Sequence, residues 1–214
     1  MQLTLYYAPI ACSLVPLISL NESGAEFEVK PVNIRKAQQM SPEYLRMNPK
    51  HKVPVLLIDG EPLTENVAMA LWMARAFPKA GILPAESDTE VKAISIMAWC
   101  ASGIHPHLTR INSPAKFCDT PGSEESIRRL AAGELDHVFG IADDMLEGRE
   151  YFFGKWCAAD SHFFWTWRRA ITFGLDYSKY RHCAAHCERM QRRPAVKKAL
   201  ELEQQVQAEF AKDA

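Results

Sequence analysis

The amino-acid sequence predicts an α/β domain followed by an all-α helical domain. Strand-like and helix-like segments alternate through residues 1–77, which is typical of a small sheet covered by helices. Residues 78–88 then carry two prolines, a glycine and several charges, as a linker does. Residues 89–214 repeat apolar side chains at helical spacing. We therefore expect a first domain of residues 1–77, a linker of 78–88 and a helical domain of 89–214.

The composition is that of a globular protein with a sizeable core. The 214 residues are 48% hydrophobic and 24% charged, with a net charge of −1. This balance predicts neither nucleic acid nor a membrane as a partner, because no global field attracts either and no apolar run is long enough to cross a bilayer. Six scattered cysteines in so apolar a chain favour free thiols and a cytoplasmic location over a disulfide framework.

The first strand and helix come from residues 2–24. The segment "QLTLYY" reads as a short strand, which Ala8-Pro9 ends. A helix is expected to begin near Cys12 and to stop at Gly24, a common helix terminator. Residues 1–11 contain no Lys or Arg, which disfavours a secretory signal.

The next segments complete the α/β unit. Residues 27–34 alternate as a strand, and Pro31 places that strand at a sheet edge. A short helix follows at 41–48, and residues 53–63 read as a hairpin whose turn is Asp59-Gly60. Asn66 is expected to cap a helix that runs to about Ala76.

The remaining segments are predicted helices. Ser87 and Glu90 match a capping box, and Ser123 is expected to cap a second helix. Residues 160–173 would place apolar side chains on nearly every face of a helix, which predicts a central buried helix. Pro194 suits the start of the last helix. The predicted inward stripe of the first of these helices consists of Val91, Ile94, Ala98, Ala101, His105 and Leu108.

Four segments resemble one family. They are "YAPIACSL", "NPKHKVPVL", "LTENVAM" and "FFGKWCAAD", and in this order they look like cytosolic glutathione transferases, most similar to the bacterial beta class. The resemblance covers the whole chain. It implies a thioredoxin-like N-terminal domain and a helical C-terminal domain that forms the pocket for a small hydrophobic electrophile. It further implies a homodimer, a role in detoxification, and glutathione as co-substrate with no permanently bound cofactor.

The resemblance also implies a glutathione site. The Val53-Pro54 bond is cis in this family, and its backbone would pair with the cysteinyl unit. Glu65 would pair with the ammonium group, and Asn66 would offer backbone N–H groups to the γ-glutamyl carboxylate. Lys36 and Lys52 would reach the glycine carboxylate. From the residues alone, Asn66 could be only a helix cap, and the charged side chains could be only surface groups.

Cys12, Ser13 and His105 are the candidate catalytic residues. A thiol beside a helix N-terminus favours the thiolate, so we expect a lowered pKa and a reactive Cys12. Family members can form a mixed disulfide with glutathione at the matching cysteine, whereas other branches use a serine, for which Ser13 is the candidate. A buried core thiol and a lipid attachment point are the other interpretations of Cys12. Three functions stay open: conjugation, thiol–disulfide exchange through Cys12, or binding without turnover.

Some positions depart from the family pattern. Ile10 and His51 stand where glycine is usual, Pro106 replaces the lysine after His105, and Cys157 replaces a Ser or Thr cap. The segment "HCAAHC" at 182–187 could suggest zinc, but helical spacing predicts its cysteines in the core and its histidines, His182 and His186, toward solvent. We therefore expect no metal site.

Overall fold

The computed structural model describes residues 1–212. They form two compact units, one built from Met1–Ala85 together with the residues from Arg192 onward, the other from Glu86–Gln191. Within residues 1–212, no helix combines the length and apolarity needed to span a bilayer. The predicted fold class is confirmed, with a mixed sheet and helices first and helices alone after it.

The first unit is organised around a mixed sheet. Its strands are β1 (Leu3–Tyr7), β2 (Glu28–Pro31), β3 (Val55–Ile58) and β4 (Glu61–Thr64), and its first helices are α1 (Leu14–Ser23), α2 (Pro42–Met47) and α3 (Asn66–Ala76). The described strands lie in the order β2-β1-β3-β4. β1 is parallel to β2 and antiparallel to β3, and β3 and β4 form the predicted hairpin. Pro31 lies on the edge strand, as its missing N–H requires.

The second unit is helical. Its helices are α4 (Ser87–Trp99), α5 (His105–Asn112), α6 (Glu124–Leu146), α7 (Ala158–Ile171) and α8 (Arg181–Arg192), with a π-helical segment, Cys100–Ile104, between α4 and α5. α7 is buried over most of its length, as predicted for a central helix.

The last helix, α9 (Pro194–Lys212), groups with the first unit. It begins at Pro194 as predicted, but it does not belong with the helices that precede it. Asn21 of α1 donates to the Ala195 carbonyl oxygen at 3.2 Å, and Arg193 contacts Glu22 at 2.7 Å. These contacts bind α9 to α1, so the compact units are not the sequence segments 1–77 and 89–214.

Two predicted helix caps are displaced by one residue. Asn66 is the first residue of α3, and Glu65 occupies the cap position. Ser87 is likewise the first residue of α4, where the Glu86 carboxylate accepts hydrogen bonds from the backbone N–H groups of Asp88 and Thr89. The predicted capping box at Ser87 is therefore wrong, because Glu86 performs that role.

The π-helical segment explains why the predicted inward stripe is wrong before Leu108, which is buried as predicted. The His105 N–H bonds to the Cys100 carbonyl, five residues back, since Pro106 has no N–H to continue an ordinary helix. A turn closed five residues back contains one residue more than an α-helical turn. The buried positions N-terminal to this turn are therefore displaced by one residue from the predicted ones. Val91 is 62% exposed. The buried residues of this stretch are Ala93, Ile96, Met97, Cys100, Ile104 and Leu108.

The same segment requires glycine at position 103. A Cβ atom on Gly103 would lie 2.6 Å from Cδ1 of Trp99. We predict that Gly103→Ala lowers the free energy of unfolding by about 1–3 kcal/mol, the usual cost of overpacking. Urea denaturation measures this change.

Gly133→Ala is the matched control, because Gly133 lies within α6 and a Cβ there meets nothing within 4 Å. It should leave stability unchanged or raise it by about 0.5–1 kcal/mol, since alanine favours a helix. Equal effects of the two substitutions would contradict the assigned role of Gly103.

Candidate active site

Cys12 lies in the turn that joins β1 to α1. The helix begins at Leu14, so the thiol precedes it by two residues. Its Sγ donates to the Val53 carbonyl oxygen at 3.6 Å, and the residue is partly exposed. The thiol therefore lies against the backbone of Val53.

The pKa of Cys12 is shifted in the direction opposite to the one expected from the sequence. Burial raises the pKa of this thiol to about 12, and the Glu65 carboxylate adds to the increase. A hydrogen bond from Asn66 and the charge of Lys52 act in the opposite direction but do not outweigh burial. The predicted low-pKa thiolate is wrong for this reason. The same interactions show that Lys52, Glu65 and Asn66 all lie close enough to act on Cys12.

Ser13 has a structural role. Its side chain is fully buried, its Oγ accepts from the Ala8 N–H at 3.0 Å, and its hydroxyl donates to the Ala8 carbonyl at 2.9 Å. Both bonds tie the start of α1 to the end of β1. The expectation that this hydroxyl serves a bound thiol is corrected, because it is buried and already committed to the backbone.

Asn66 links α3 to the Cys12 turn. Its Nδ2 donates to the Cys12 carbonyl oxygen at 3.2 Å. Its Oδ1 is buried and has no hydrogen-bond partner among the residues that the structure describes. A buried acceptor without a partner is costly, so this oxygen is suited to a donor supplied by a ligand.

Glu65 has a partner that the sequence did not suggest. Lys50 forms an ion pair with the Glu65 carboxylate and donates to Thr64 Oγ1 at 2.7 Å. The side chains of Lys50 and Glu65 are 50% and 70% exposed, so the pair contributes no more than about 1 kcal/mol. Lys50 belongs to the "NPKHKVPVL" motif, but nothing in its spacing indicates a contact with Glu65.

The segment before β3 is fixed by two side chains that donate to its backbone. The Val53-Pro54 peptide bond is cis, as the resemblance implied. The Lys52 carbonyl oxygen accepts from the Tyr44 hydroxyl at 2.7 Å and from Asn48 Nδ2 at 2.8 Å. Burial raises the pKa of Tyr44 to about 12, so its hydroxyl remains a donor at neutral pH.

Lys36 lies elsewhere in the first unit. It is exposed on the loop after β2, where its N–H donates to Asn33 Oδ1 at 3.2 Å. It borders a cavity of about 540 Å³ whose apolar lining comes from the β1–α1 turn, the loop after β2 and the end of α9. This lining includes Pro9, Ile10, Val32, Ile34 and Phe210.

His105 belongs to the second unit. It begins α5 directly after the π-helical segment, and its ring packs edge-to-face on Trp165 with centroids 4.6 Å apart. Burial lowers the pKa of the neighbouring His162 to about 3, and His105 adds to this effect. A catalytic role for His105 stays a prediction.

Ile10 and His51, the two departures from glycine, have left-handed backbones. Their φ angles are 67° and 47°. A residue other than glycine in this region carries a cost of about 1–3 kcal/mol unless the surrounding structure holds it there. The glycine usual at these positions is therefore explained by backbone conformation.

The segment "HCAAHC" contributes to a buried polar cluster. Cys183 lies in the core as predicted, whereas Cys187 is only partly buried. His186 is fully buried, which corrects the expectation that it faces solvent. Its Nε2 is 3.0 Å from Asp160 Oδ1. Asp160 also accepts from the backbone N–H groups of Phe152 and Cys157, at 3.1 and 2.9 Å. Among residues 1–212, no group of three or more His, Cys, Asp or Glu residues is arranged to hold a metal.

Comparisons with known proteins point to one family. Residues 1–75 match the model of the glutathione S-transferase N-terminal domain. The chain is 32% identical over 203 residues to glutathione S-transferase GstA of Escherichia coli O157:H7, which covers 93% of this chain and 98% of that protein. A sphingomonad glutathione S-transferase solved in complex with glutathione is 30% identical, with a TM-score of 0.81 over 94% of this chain and 98% of that chain. A bacterial beta-class enzyme from Sphingomonas chungbukensis is 31% identical, with a TM-score of 0.82 and the same coverage.

The raised pKa of Cys12 predicts slow alkylation at neutral pH. Because only the thiolate reacts, the iodoacetamide rate at Cys12 should rise about tenfold per pH unit from pH 7 to pH 10. Mass spectrometry of the Cys12 peptide measures this rate.

Cys118 is the internal comparison. The neighbouring polar groups of Ser123 and Thr120 hold the pKa of Cys118 below its ordinary value. Cys118 should therefore be labelled before Cys12 at pH 7. Labelling of Cys12 that is faster than that of Cys118, with a plateau below pH 8, would contradict the pKa assignment.

Proposed function

The chain belongs to the glutathione S-transferase family, and we propose that it activates the glutathione thiol for attack on a small hydrophobic electrophile. The observation that supports this most directly is the group of residues around Cys12. Lys52, Glu65 and Asn66 all act on the Cys12 thiol, which itself lies on the carbonyl of Val53. One tripeptide carrying a thiol, an ammonium and carboxylates has a complementary partner at each of these positions.

Glutathione would bind along the segment before β3. Its cysteinyl backbone would pair with Val53, next to the cis bond to Pro54. Its ammonium would take the place of the Lys50 ammonium on Glu65. A donor of the γ-glutamyl unit would reach the unpartnered Oδ1 of Asn66. Lys52, an exposed cation whose charge acts on Cys12, would attract the glycine carboxylate. A contribution from Lys36, on the loop after β2, stays a prediction.

We further propose that Cys12 acts as a neutral donor. A thiol with a pKa raised to about 12 keeps its proton at neutral pH. Its S–H, which donates to Val53 in this structure, would turn to the glutathione sulfur and stabilise the thiolate there. The glutathione proton passes to water, the thiolate sulfur forms a bond to the electrophilic carbon, and the leaving group departs with its electron pair. His105 remains a proposed second donor.

Conjugation is better supported than thiol–disulfide exchange. Exchange through Cys12 requires its thiolate to attack a disulfide sulfur, and the raised pKa makes that thiolate scarce at neutral pH. Binding without turnover remains the other alternative, and a turnover assay separates it from conjugation.

We also propose a cytoplasmic homodimer with a role in detoxification. All six cysteines are free thiols, which suits a reducing compartment. Val91 of α4 and Leu130 of α6 are 62% and 60% exposed. Apolar side chains that are this exposed suit an interface with a second copy of the chain.

The glutathione site is tested by Glu65→Gln. Loss of the charge-assisted bond to the ligand ammonium should weaken glutathione binding by about 1.5–3 kcal/mol in calorimetry. Glu61→Gln is the control, because Glu61 is exposed at the start of β4. Equal affinity of wild type and Glu65→Gln would contradict this assignment.

The role of Cys12 is tested by two substitutions. Cys12→Ser keeps a hydroxyl donor, whereas Cys12→Ala removes the donor. If Cys12 acts as a donor, conjugation of a chloronitrobenzene should fall about tenfold or more in the alanine variant and much less in the serine variant. Equal losses in both would point to a thiolate role, and no loss in either would exclude Cys12 from the chemistry.

A further inference from the structure

A buried carboxylate on α9 holds the turn that carries Cys12. Glu203 is 1% exposed, yet its Oε2 accepts from the Ile10 N–H at 2.8 Å and from the Tyr7 hydroxyl at 3.3 Å. All three residues belong to the first unit. A carboxylate is costly to bury unless hydrogen bonds compensate it, so these contacts are a defined feature of the fold.

The residue that Glu203 holds is the one in an unfavourable conformation. Ile10 has a φ of 67°, and a β-branched residue rarely adopts this left-handed region. Such a backbone persists only where its surroundings over-determine it. The bond from the Ile10 N–H to a charged acceptor is stronger than one to a neutral acceptor, and it opposes relaxation of the turn.

The other end of the turn is fixed independently. The Ser13 hydroxyl exchanges two hydrogen bonds with Ala8, and the Ala11 N–H bonds to the Ala8 carbonyl at 3.3 Å. Cys12 lies between Ile10 and Ser13. The direction of its thiol toward the Val53 carbonyl therefore depends on the conformation at Ile10.

We propose that Glu203 is a positioning residue for Cys12. It keeps Ile10 left-handed, and this conformation holds the Cys12 thiol at the Val53 carbonyl, from which its S–H would turn to the glutathione sulfur. The proposal rests on the proposed function for its catalytic consequence. It makes the C-terminal helix α9 part of the support for the thiol site.

The test combines Glu203→Met with Ile10→Gly. Glycine adopts a positive φ without penalty, so the turn should keep its conformation in the Ile10→Gly background even when Glu203 is replaced. With Ile10 present, Glu203→Met should displace the Cys12 S–H and weaken its bond to the glutathione thiolate. The acid limb of the pH profile of kcat/KM for the electrophile, measured with glutathione saturating, should then move to higher pH by about one unit. In the Ile10→Gly background the same substitution should move it by less than about 0.3 unit.

Two controls accompany this comparison. Glu203→Gln keeps an oxygen acceptor but loses the charge, so it should move the acid limb by less than Glu203→Met does. Glu201→Met changes an exposed residue of the same helix and should not move it. Urea denaturation is measured for every variant. If Glu203 has only a structural role, its replacement should lower stability and leave the acid limb unmoved, or move the acid limb equally in both backgrounds. Either result would overturn the proposal. If Glu203→Met does not fold, Glu203→Asp, one methylene shorter, replaces it with the same expectations.

A second readout does not depend on glutathione. Displacing the thiol from Val53 should change the rate of Cys12 alkylation at pH 9 by about threefold or more, and Ile10→Gly should abolish that change. Absence of turnover in the wild type would count against the proposed function, while this contrast would still test the position of Cys12. If replacement of Glu203 left the alkylation rate of Cys12 unchanged, the positioning role would be overturned even in an active enzyme.

Discussion

The hydrogen bonds that close the turn between β1 and α1 are the constraint on which the site depends. Ser13 ties the start of α1 to the backbone of Ala8, and Glu203 ties Ile10 to the C-terminal helix. Between them the Cys12 thiol reaches the Val53 carbonyl. The backbone of this turn is therefore determined by side chains that take no direct part in the chemistry, and one of them comes from a helix distant in sequence.

Burial decides which chemistry Cys12 can perform. Proximity to a helix start favours a thiolate, and so do the Asn66 amide and the Lys52 charge, but desolvation outweighs all of them. A neutral thiol is a poor nucleophile and a usable hydrogen-bond donor. This balance supports the proposed conjugation of glutathione, in which Cys12 would stabilise the glutathione sulfur.

In the second unit a single buried carboxylate compensates for an unusual cap. Cys157 stands at the N-cap of α7, where a thiol is a weak acceptor. Asp160 accepts hydrogen bonds from the N–H groups of Cys157 and Phe152, and it also contacts the buried His186. The Asp160 N–H, which a Ser or Thr cap would receive, bonds to the Cys157 carbonyl oxygen at 3.0 Å.

The sequence by itself determined the order of strands and helices within residues 1–77, the hairpin at Asp59-Gly60, the start of the last helix at Pro194 and the family of the chain. The first three follow from short-range preferences of proline, glycine and alternating side chains. The family follows from the resemblance of four segments to its members. Tertiary structure alone decided that Ser13 is committed to Ala8, that Lys50 pairs with Glu65, that His186 is buried and that α9 packs on the first unit. It also decided that Cys12 keeps its proton, because the pKa of a thiol depends on desolvation by groups far away in sequence.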